Sequence, residues 1–460
     1  MTDDVIVAEL EQFLRERPSV GIVLGLLDAD GISEVYAAGT THLGAQQPPD
    51  ADSVFRIASM TKSFTAAAVL LLRDRSQLRL DDPVVTFVPW LPQRQITVRD
   101  LLTMNAGYPT DDPWGDRHEP TALTEFDELV AGGIPMIRDP RTGFEYSNLS
   151  YALLGRVIAA VSGESYPDFV MRELLHPLGM TSTVFDHREI PAEHVAQGYH
   201  ETASGFVPEP QTVPGAFSPM GGLHSTVRDL ACWVNGLMSA WHGNEQHPLS
   251  IASRQEMQSP QNFARLVVRA GDDPVTASSL SYGFGLLAEE HSMLGRFIHH
   301  SGGYPGFGSH MRWHPETGLG IVALSNRTYA APVALCERVL TARVASAEPL
   351  VPAHRRLWES TLEAMDAAEQ LLRRWDDGVA DHWFAHNMDL DIPRAERRRT
   401  AQELGGNAGE FRRKPDSLNS RSAAHAKWLV AGVEADIWVE VLMSPDPRPR
   451  IQHLSFTVAA

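Results

Sequence analysis

The stretch FRIASMTKSF, residues 55–64, decides how the rest of this 460-residue sequence is interpreted. It places Ser59 three residues before Lys62, and the apolar run AAAVLLL follows at residues 66–72. On a helix, positions i and i+3 share one face, so the amine can reach the hydroxyl. The same pattern is typical of the polar edge of an ordinary buried helix. Taken alone, the stretch favours that ordinary helix.

A catalytic role for the pair has a simple chemical basis. A serine hydroxyl is a weak nucleophile until a base takes its proton. A lysine can be that base when burial lowers its pKa, and the apolar run after Lys62 predicts a buried helix. If Ser59 begins this helix, the helix dipole favours negative charge developing at its oxygen. The stretch therefore predicts either a nucleophile with its amine partner or a structural turn.

A second stretch, FEYSNLSYALLG (144–155), places a phenol and an amide at the mouth of a predicted helix. Tyr146 and Asn148 can face one site, and a phenolate beside a lysine ammonium can act as a general base. The structural alternative is a buried tyrosine, with Ser147 or Asn148 as the cap of the helix. In isolation this alternative is favoured.

A third stretch, HHSGGYPGFGSH (299–310), places small residues at the end of a predicted strand. Glycine lets a substrate lie against a strand edge, and a free backbone N–H can stabilise an oxyanion. The alternative is a glycine-rich hairpin with a hydrogen-bonded histidine. The glycines precede a strand rather than a helix, which argues against a phosphate-binding loop.

In their order and spacing the three stretches resemble the motifs S-x-x-K, Y-x-N and K/H-x-G of the penicillin-recognising serine hydrolases. That family includes class C β-lactamases, D-Ala-D-Ala carboxypeptidases, D-aminopeptidases and β-lactamase-like esterases. The resemblance covers residues 5–345 and extends to flanking text such as ITVRDLLTMNAGYP (96–109) and SPMGGLHSTVRDLACWV (218–234). It implies an α+β fold of the β-lactamase/transpeptidase type, with an antiparallel sheet flanked by helices and an all-helical region.

The resemblance implies a catalytic role for the residues of the first two motifs. Ser59 would be the acylated nucleophile of a serine hydrolase. Lys62 and Tyr146 would move its proton and later activate the deacylating water. Asn148 would orient the substrate or the lysine.

The third motif would supply the substrate-binding strand, formed by His300, Ser301, Gly302 and Gly303. The backbone N–H groups of Gly303 and Ser59 would form the oxyanion hole. His300 stands where many relatives have the lysine that helps to bind a β-lactam carboxylate, and a histidine is only partly charged near neutral pH. This departure puts strong β-lactamase activity in doubt.

We therefore expect small esters, amides or D-amino-acid peptides as substrates. A D-Ala-D-Ala carboxypeptidase or a weak β-lactamase is the alternative within the same class. A catalytically silent binding or regulatory protein on the same fold is the alternative of another class, because a fold does not fix a function. Tyr108, Trp114, Phe206 and Phe217 lie in predicted loops, where they either line an acyl pocket or pack the loops.

Composition and charge exclude several partners. The formal net charge is −19, and nucleic acid and anionic membranes both require basic surface. No run of eighteen apolar residues occurs, so no transmembrane helix is predicted. The acidic N-terminus has no apolar signal segment, and Cys232 and Cys336 form no disulfide framework, so we expect a cytoplasmic protein. We predict no metal site and no cofactor.

The organisation of the chain predicts a hydrolase domain at 1–346, a linker at 347–354 and a small α+β domain at 355–460. Residues 351–460 hold 15 basic and 17 acidic residues, so nearly all of the negative charge lies before them. Predicted strands lie near the start of the chain and again from residue 282, with helices between and after them. This segregation favours α+β. The C-terminal domain suits homo-oligomerisation, docking or a cover over the active site.

Overall fold

The computed structural model describes residues 3–269, 275–347, 357–405, 412–414, 417–431 and 435–459. The chain divides into two compact units, Met1–Leu350 and Val351–Ala460. The predicted linker at 347–354 lies outside the described residues except for its first residue, Ala347. Each unit has its own hydrophobic core.

The first unit is built on an eight-stranded antiparallel sheet. The strands of this unit are β1 (Gly21–Asp28), β2 (Gly31–Gly39), β3 (Phe55–Arg56), β4 (Tyr199–Thr202), β5 (Gly205–Pro208), β6 (His224–Ser225), β7 (Asn262–Arg269), β8 (Thr276–Tyr282), β9 (Leu287–His291), β10 (Gly295–Tyr304), β11 (Phe307–His314) and β12 (Leu319–Ser325). The large sheet has the order β2-β1-β12-β11-β10-β9-β8-β7, and β3–β6 and β4–β5 form two small pairs. The N-terminal hairpin therefore joins the last strand, β12, inside one sheet.

Helices cover both faces of this sheet and form a helical region beside it. They are α1 (Asp3–Glu16), α2 (Thr61–Asp74), α3 (Val98–Leu102), α4 (Trp114–Arg117), α5 (Leu123–Ala131), α6 (Asn148–Ser162), α7 (Tyr166–Val170), α8 (Ser218–Gly221), α9 (Val227–Met238), α10 (Ile251–Met257) and α11 (Val333–Ala345). Alternate residues of a strand point to opposite faces. In β1, Ile22 and Leu24 pack in the core with α1 and α11, whereas Val23 and Leu27 pack in the core with α2 and α9. The predicted α+β class is confirmed.

Helix α2 is buried around most of its circumference, as the apolar run after Lys62 predicts. All of its residues from Thr61 to Leu72 are buried. A helix that is apolar on all sides belongs in a core. Ser59 lies near the start of this helix, as predicted, because a 3₁₀ turn, Ala58–Met60, carries it and α2 begins directly afterwards at Thr61.

Strand β10 passes close to the turn that carries Ser59, and a glycine permits this approach. A Cβ at Gly302 would lie 2.2 Å from the Ile57 carbonyl oxygen and 2.2 Å from Ser309 Oγ. The Ser309 hydroxyl donates a hydrogen bond to the same Ile57 oxygen at 2.7 Å. The third motif thus packs directly against the first, with Gly302 beside the Ile57 carbonyl oxygen.

Substitution of Gly302 by alanine is expected to lower the free energy of unfolding by about 2–3 kcal/mol, because overpacking forces the backbone to shift. The Gly132→Ala variant is the matched control, since its Cβ would meet atoms no closer than 3.4 Å. Its expected change is within about 0.5 kcal/mol. Urea denaturation of the full chain, followed by circular dichroism, measures both. Equal midpoints for the two variants would contradict the close-approach argument.

Two strands of the large sheet, β7 and β8, were not predicted from the sequence. Strands were expected from residue 282, but β7 and β8 precede it. β7 is the last strand of the sheet, and Phe263, Leu266 and Val268 on it are exposed. A bulge between Phe263 and Arg265 also shifts the register. Exposure and a bulge together remove the alternation that identifies a strand.

The second unit packs a four-stranded antiparallel sheet against helices. Its elements are α12 (Glu359–Arg373), α13 (Asp377–Trp383), α14 (Met388–Asp391), α15 (Arg394–Gly405), β13 (Arg412–Arg413), β14 (His425–Ala431), β15 (Ile437–Met443) and β16 (Ile451–Val458). Trp428 is fully buried, and its indole N–H donates a hydrogen bond to Glu369 of α12 at 2.9 Å. No helix of the described parts of either unit is long and apolar enough to cross a membrane.

Candidate active site

The turn between β3 and α2 presents Ser59 at the edge of the core. Ala58, the residue before it, has a φ of 49°, in the left-handed region that favours glycine. Such strained backbone is typical of functional sites. Ser59 is 8% exposed, so most of the residue is buried. Lys62 Nζ lies 2.9 Å from Ser59 Oγ, as the i and i+3 spacing predicts.

The Lys62 amine is fully buried and surrounded by oxygen atoms. Its Nζ donates hydrogen bonds to Asn148 Oδ1 at 2.6 Å and to the Met220 carbonyl oxygen at 2.8 Å. Burial lowers the pKa of Lys62 to about 8, against the opposing charges of Asp112 and Asp116. When the amine is neutral, two N–H groups can stay on Asn148 and Met220 while the lone pair faces Ser59. The geometry therefore suits a base that takes the serine proton.

The Tyr146 phenol completes this cluster. Lys62 Nζ lies 4.9 Å from the centre of its ring. Burial, followed by the charge of Asp112, raises the pKa of Tyr146 well above its usual value. The tyrosine is therefore a neutral phenol near neutral pH, and a phenolate base is disfavoured. The phenol can still relay a proton.

Helix α6 begins within the second motif and fixes its side chains. Ser147 caps the helix by accepting a hydrogen bond from the Ser150 N–H at 3.3 Å. The Asn148 side chain meanwhile binds Lys62 through its oxygen and donates to the Asp112 carboxylate through its nitrogen. Ser147 is therefore the helix cap, as the structural alternative predicts. Asn148, the next residue, has its side chain against Lys62.

His300 lies on β10, and its ring centre is 6.3 Å from that of Tyr146. Its Nδ1 lies 2.7 Å from the Ser301 carbonyl oxygen, which can only accept, so Nδ1 carries the hydrogen. Its Nε2 then accepts from the Tyr282 hydroxyl at 3.3 Å. Burial, followed by the charge of Lys62, lowers the pKa of His300 to about 3. Near neutral pH, His300 therefore carries less positive charge than an ordinary histidine.

The rest of the third motif forms an open strand edge. β9 pairs with β10 only from Gly295 to His299, and beyond that point the described pairing partner of β10 is β11. Ser301 and Gly303 are partly exposed there. An extended substrate can add to such an edge through main-chain hydrogen bonds. The Ser301 hydroxyl lies 2.9 Å from His310 Nδ1, so this side chain is engaged with the neighbouring strand.

A buried ion pair, which the sequence did not predict, is hydrogen-bonded to the short helix that contains Met220. Arg56 and Glu119 are 2.8 Å apart and almost fully buried. The Glu119 carboxylate also accepts a hydrogen bond from Ser218 Oγ at 2.7 Å, and Ser218 begins the short helix α8 that contains Met220. Nothing in the spacing of residues 56 and 119 indicates this pair, because two separate segments bring the charges together.

The four aromatic residues of the predicted loops have different environments. Tyr108 and Phe217 are buried in the main core, and Phe206 packs against Tyr199. Trp114 is 44% exposed and lies beside Phe217, with ring centres 5.8 Å apart. Loop packing therefore accounts for Tyr108, Phe206 and Phe217, and Trp114 alone retains a large exposed aromatic surface.

Comparisons with known proteins find relatives of this chain. The model of the family described as Beta-lactamase matches residues 8–345. Penicillin-binding protein 4* of Bacillus subtilis (strain 168) is 28% identical over 321 residues, which cover 66% of this chain and 67% of that protein. D-alanyl-D-alanine-carboxypeptidase/endopeptidase AmpH of Escherichia coli (strain K12) is 26% identical over 318 residues, 66% of this chain and 79% of that protein.

A solved structure shares the fold over almost the whole chain. It is the octameric penicillin-binding protein homologue from Pyrococcus abyssi, with a TM-score of 0.66 and 20% identity, and the match covers 99% of this chain and 100% of that chain. At this level of identity the likeness shows the fold alone. The expected β-lactamase/transpeptidase-like fold with a small C-terminal unit is confirmed.

Proposed function

Because the chain belongs to the beta-lactamase family, we propose that it is a serine hydrolase that forms an acyl-enzyme on Ser59. One observation carries the proposal. Ser59 Oγ lies 2.9 Å from the amine of a fully buried lysine, and burial holds the pKa of that lysine near neutrality, at about 8. A general base works best when its pKa is close to the pH at which it operates.

Acylation uses the side chains of the first two motifs. Neutral Lys62 takes the hydroxyl proton as Ser59 Oγ forms a bond to the substrate carbonyl carbon. The new ammonium is held by the oxygens of Asn148 and Met220, which already accept its hydrogen bonds. The negative charge on the former carbonyl oxygen is stabilised by the backbone N–H groups of Ser59 and Gly303.

During release of the products, Lys62 gives up the proton that it took from Ser59. The bond to the leaving group breaks, and the leaving alkoxide or amine takes the proton from Lys62, directly or through the Tyr146 phenol. Lys62 is then neutral again and takes a proton from the water that attacks the acyl carbon. That proton returns to Ser59 Oγ as the acid product leaves. One ester or amide and one water thus give one acid and one alcohol or amine.

The proposed substrates are small esters, amides and D-amino-acid peptides. The Escherichia coli relative is named as a D-alanyl-D-alanine-carboxypeptidase/endopeptidase, which supports the peptide class. A carboxypeptidase must recognise a substrate carboxylate. The neutral, buried His300 offers no positive charge for that group, so carboxypeptidase and β-lactamase activities receive less support.

Covalent labelling tests the proposed function. The intact protein is treated with a fluorophosphonate and, separately, with a fluorescent penicillin, and the labelled peptide is identified by mass spectrometry. We expect one adduct, on the peptide that contains Ser59. Absence of an adduct from both probes, together with no ester hydrolysis above background, would favour the catalytically silent alternative.

The rate of acylation is expected to rise with pH through a midpoint near 8, because burial lowers the pKa of Lys62 to about 8 and the neutral amine is the active form. Below that midpoint kcat/KM should fall by about tenfold per pH unit. The measurement is a pH profile of p-nitrophenyl acetate hydrolysis at constant ionic strength, corrected for spontaneous hydrolysis. A profile that is flat or that falls across the same range would contradict Lys62 as the base.

Self-association through the C-terminal unit is a second part of the proposal. The Pyrococcus abyssi protein is described as octameric, and Leu390 of this unit has 80% of its surface exposed, with the apolar Ile392 nearby. Sedimentation of the full chain and of the Leu390→Glu variant tests it. We expect a smaller species for the variant, whereas a monomer in both cases would contradict the proposal.

A further inference from the structure

A pocket lined by residues of α6, α7 and α8 and of the segment before α5 lies apart from the catalytic cluster. Its volume is about 460 Å³, within the usual range of small-molecule sites. Four prolines, three alanines and two glycines are among its fourteen lining residues. These residue types have no side-chain rotamers that could turn into the space between the walls. The pocket is therefore preformed and cannot close by repacking.

The pocket is distinct from the site at Ser59. No residue of the three motifs lines it. Asn148, at the start of α6, contacts Lys62, whereas Gly155 and Ala159 of the pocket are seven and eleven residues farther along the same helix. A helix rises about 1.5 Å per residue, so these two positions lie roughly 10 and 16 Å from Asn148 along the axis. A ligand in the pocket therefore leaves the nucleophile accessible.

Helix α8 connects the pocket with Lys62. Pro219 lines the pocket, and the carbonyl oxygen of the next residue, Met220, accepts the hydrogen bond from Lys62 Nζ at 2.8 Å. The Pro219 carbonyl oxygen accepts from the Thr65 hydroxyl at 2.6 Å. Thr65 follows Lys62 by three residues on α2. Two adjacent carbonyls thus join α8 to one turn of α2, so a displacement of Pro219 also moves the oxygen that holds the Lys62 amine.

Tyr166 extends this connection to a second wall of the pocket. Its hydroxyl lies 2.7 Å from Thr65 Oγ1. The Thr65 hydroxyl directs its one hydrogen to the Pro219 carbonyl oxygen, so Tyr166 is the donor to Thr65. Tyr166 lines the pocket and is 5% exposed. A molecule in the pocket therefore contacts both ends of the hydrogen-bonded row formed by Tyr166, Thr65 and Pro219.

The polar groups of the pocket wall are already engaged. The guanidinium of Arg156 is paired with Asp127 at 2.7 and 3.0 Å, so its charge is neutralised. The hydroxyl-bearing lining residues Thr121, Ser165 and Tyr166 are hydrogen-bonded to His118, Asp168 and Thr65. An ionic ligand would lose its hydration without gaining a partner, whereas apolar surface gains from burial. Since an apolar cavity of about 150 Å³ holds benzene, this larger pocket suits an uncharged molecule of about two rings.

We propose that this pocket is a regulatory site, that it binds a compact, uncharged and largely apolar molecule, and that the bound molecule slows acylation through α8. Protein atoms do not pack against the side of Pro219 that borders the pocket. A ligand there holds α8 against α2 and keeps the Met220 carbonyl oxygen on the Lys62 amine. A hydrogen bond to the charged form of a group favours that form, so less neutral Lys62 is available as the base. The slowing rests on the proposed function, whereas the binding does not.

Fluorine NMR of the full chain with 5-fluoroindole tests the binding. The charged control is 5-fluoroindole-2-carboxylate, which has the same ring system. We expect the neutral probe to bind about tenfold more tightly or better. Its affinity should be the same after the protein has been treated with the fluorophosphonate. The binding inference would be overturned by an absence of saturable binding, by equal affinity for the carboxylate, or by loss of binding once Ser59 is labelled.

Two neighbouring alanines of α6 provide matched variants. Ala159 lines the pocket, whereas Ala160 is exposed and is not part of the lining. Ala159→Phe places a ring in the pocket and should weaken the binding of 5-fluoroindole about tenfold or more, while Ala160→Phe should leave it unchanged. Circular dichroism verifies the fold, and Ala159→Leu replaces Ala159→Phe if the larger side chain prevents folding. Unchanged affinity in the folded Ala159 variant would show that the probe binds elsewhere.

The regulatory effect is measured with p-nitrophenyl acetate. Saturating 5-fluoroindole should lower kcat/KM at pH 7 by about twofold or more and move the midpoint near pH 8 upward by about 0.3 pH unit or more. The Ala160→Phe variant should respond equally, and the Ala159 variant should not respond. An unchanged or lowered midpoint with the probe bound would overturn the regulatory role. Failure of the proposed function is distinguishable, because it would leave Ser59 unlabelled and the ester uncleaved while 5-fluoroindole still binds.

Discussion

The Ser59→Ala variant is expected to lower kcat/KM for p-nitrophenyl acetate by roughly 10⁴-fold or more and to abolish covalent labelling. The hydroxyl oxygen is the atom that would form the acyl bond, and no other side-chain hydroxyl lies against Lys62 Nζ among its described hydrogen bonds. Alanine keeps the strained turn that starts at Ala58 and removes one atom, so the fold should persist. Equal circular dichroism spectra would verify this.

Ser204→Ala is the matched control for Ser59→Ala. Ser204 is exposed, in the turn between β4 and β5. We expect its activity and labelling to equal those of the unaltered protein. If Ser59→Ala retained more than about a tenth of the activity, far above the residual expected without a nucleophile, the acyl bond would have to form elsewhere.

The sequence predicts the candidate catalytic residues because they lie at short, local spacings. Ser59 and Lys62 are one helical turn apart, and Tyr146 and Asn148 stand at the start of a second helix. Each stretch alone favours a structural interpretation. Their order along the chain reverses that preference, and the structure brings Ser59, Lys62 and Asn148 into hydrogen-bonded contact with the Tyr146 ring beside Lys62.

The electrostatic character of the site was not predictable from the same spacings. The Met220 carbonyl that holds Lys62 carries no residue-type signal, because every residue has a carbonyl. Asp112 lies in a loop rich in Pro, Gly and Asp, where an aspartate is usually a turn residue. The neutrality of His300 depends on burial by segments distant in sequence, including that of Tyr282. Charge and burial are properties of the assembled core.

The prediction for Lys62 depends on that assembled environment. The Lys62→Met variant is expected to lower kcat/KM by roughly 10²- to 10⁴-fold, the usual contribution of a general base. Methionine matches the length of the aliphatic stem and removes the buried amine. It leaves the oxygens of Asn148 and Met220 without this donor, so a loss of about 1–3 kcal/mol in stability is also expected. Adding Lys62→Met to Ser59→Ala should cause little further loss of activity, because residues that act as one unit are not additive.

Lys62 is the only lysine in residues 1–350, which permits a direct measurement of its protonation. In protein labelled with [¹³C]lysine, one resonance should titrate near pH 8 and be absent from the Lys62→Met variant. Lys414 and Lys427, with 48% and 40% of their side chains exposed, provide the internal reference. The same variant should also lose the rise of kcat/KM near pH 8. A Lys62 resonance that titrates like an exposed lysine would show that the buried amine is charged at working pH, and the serine proton would then require another acceptor.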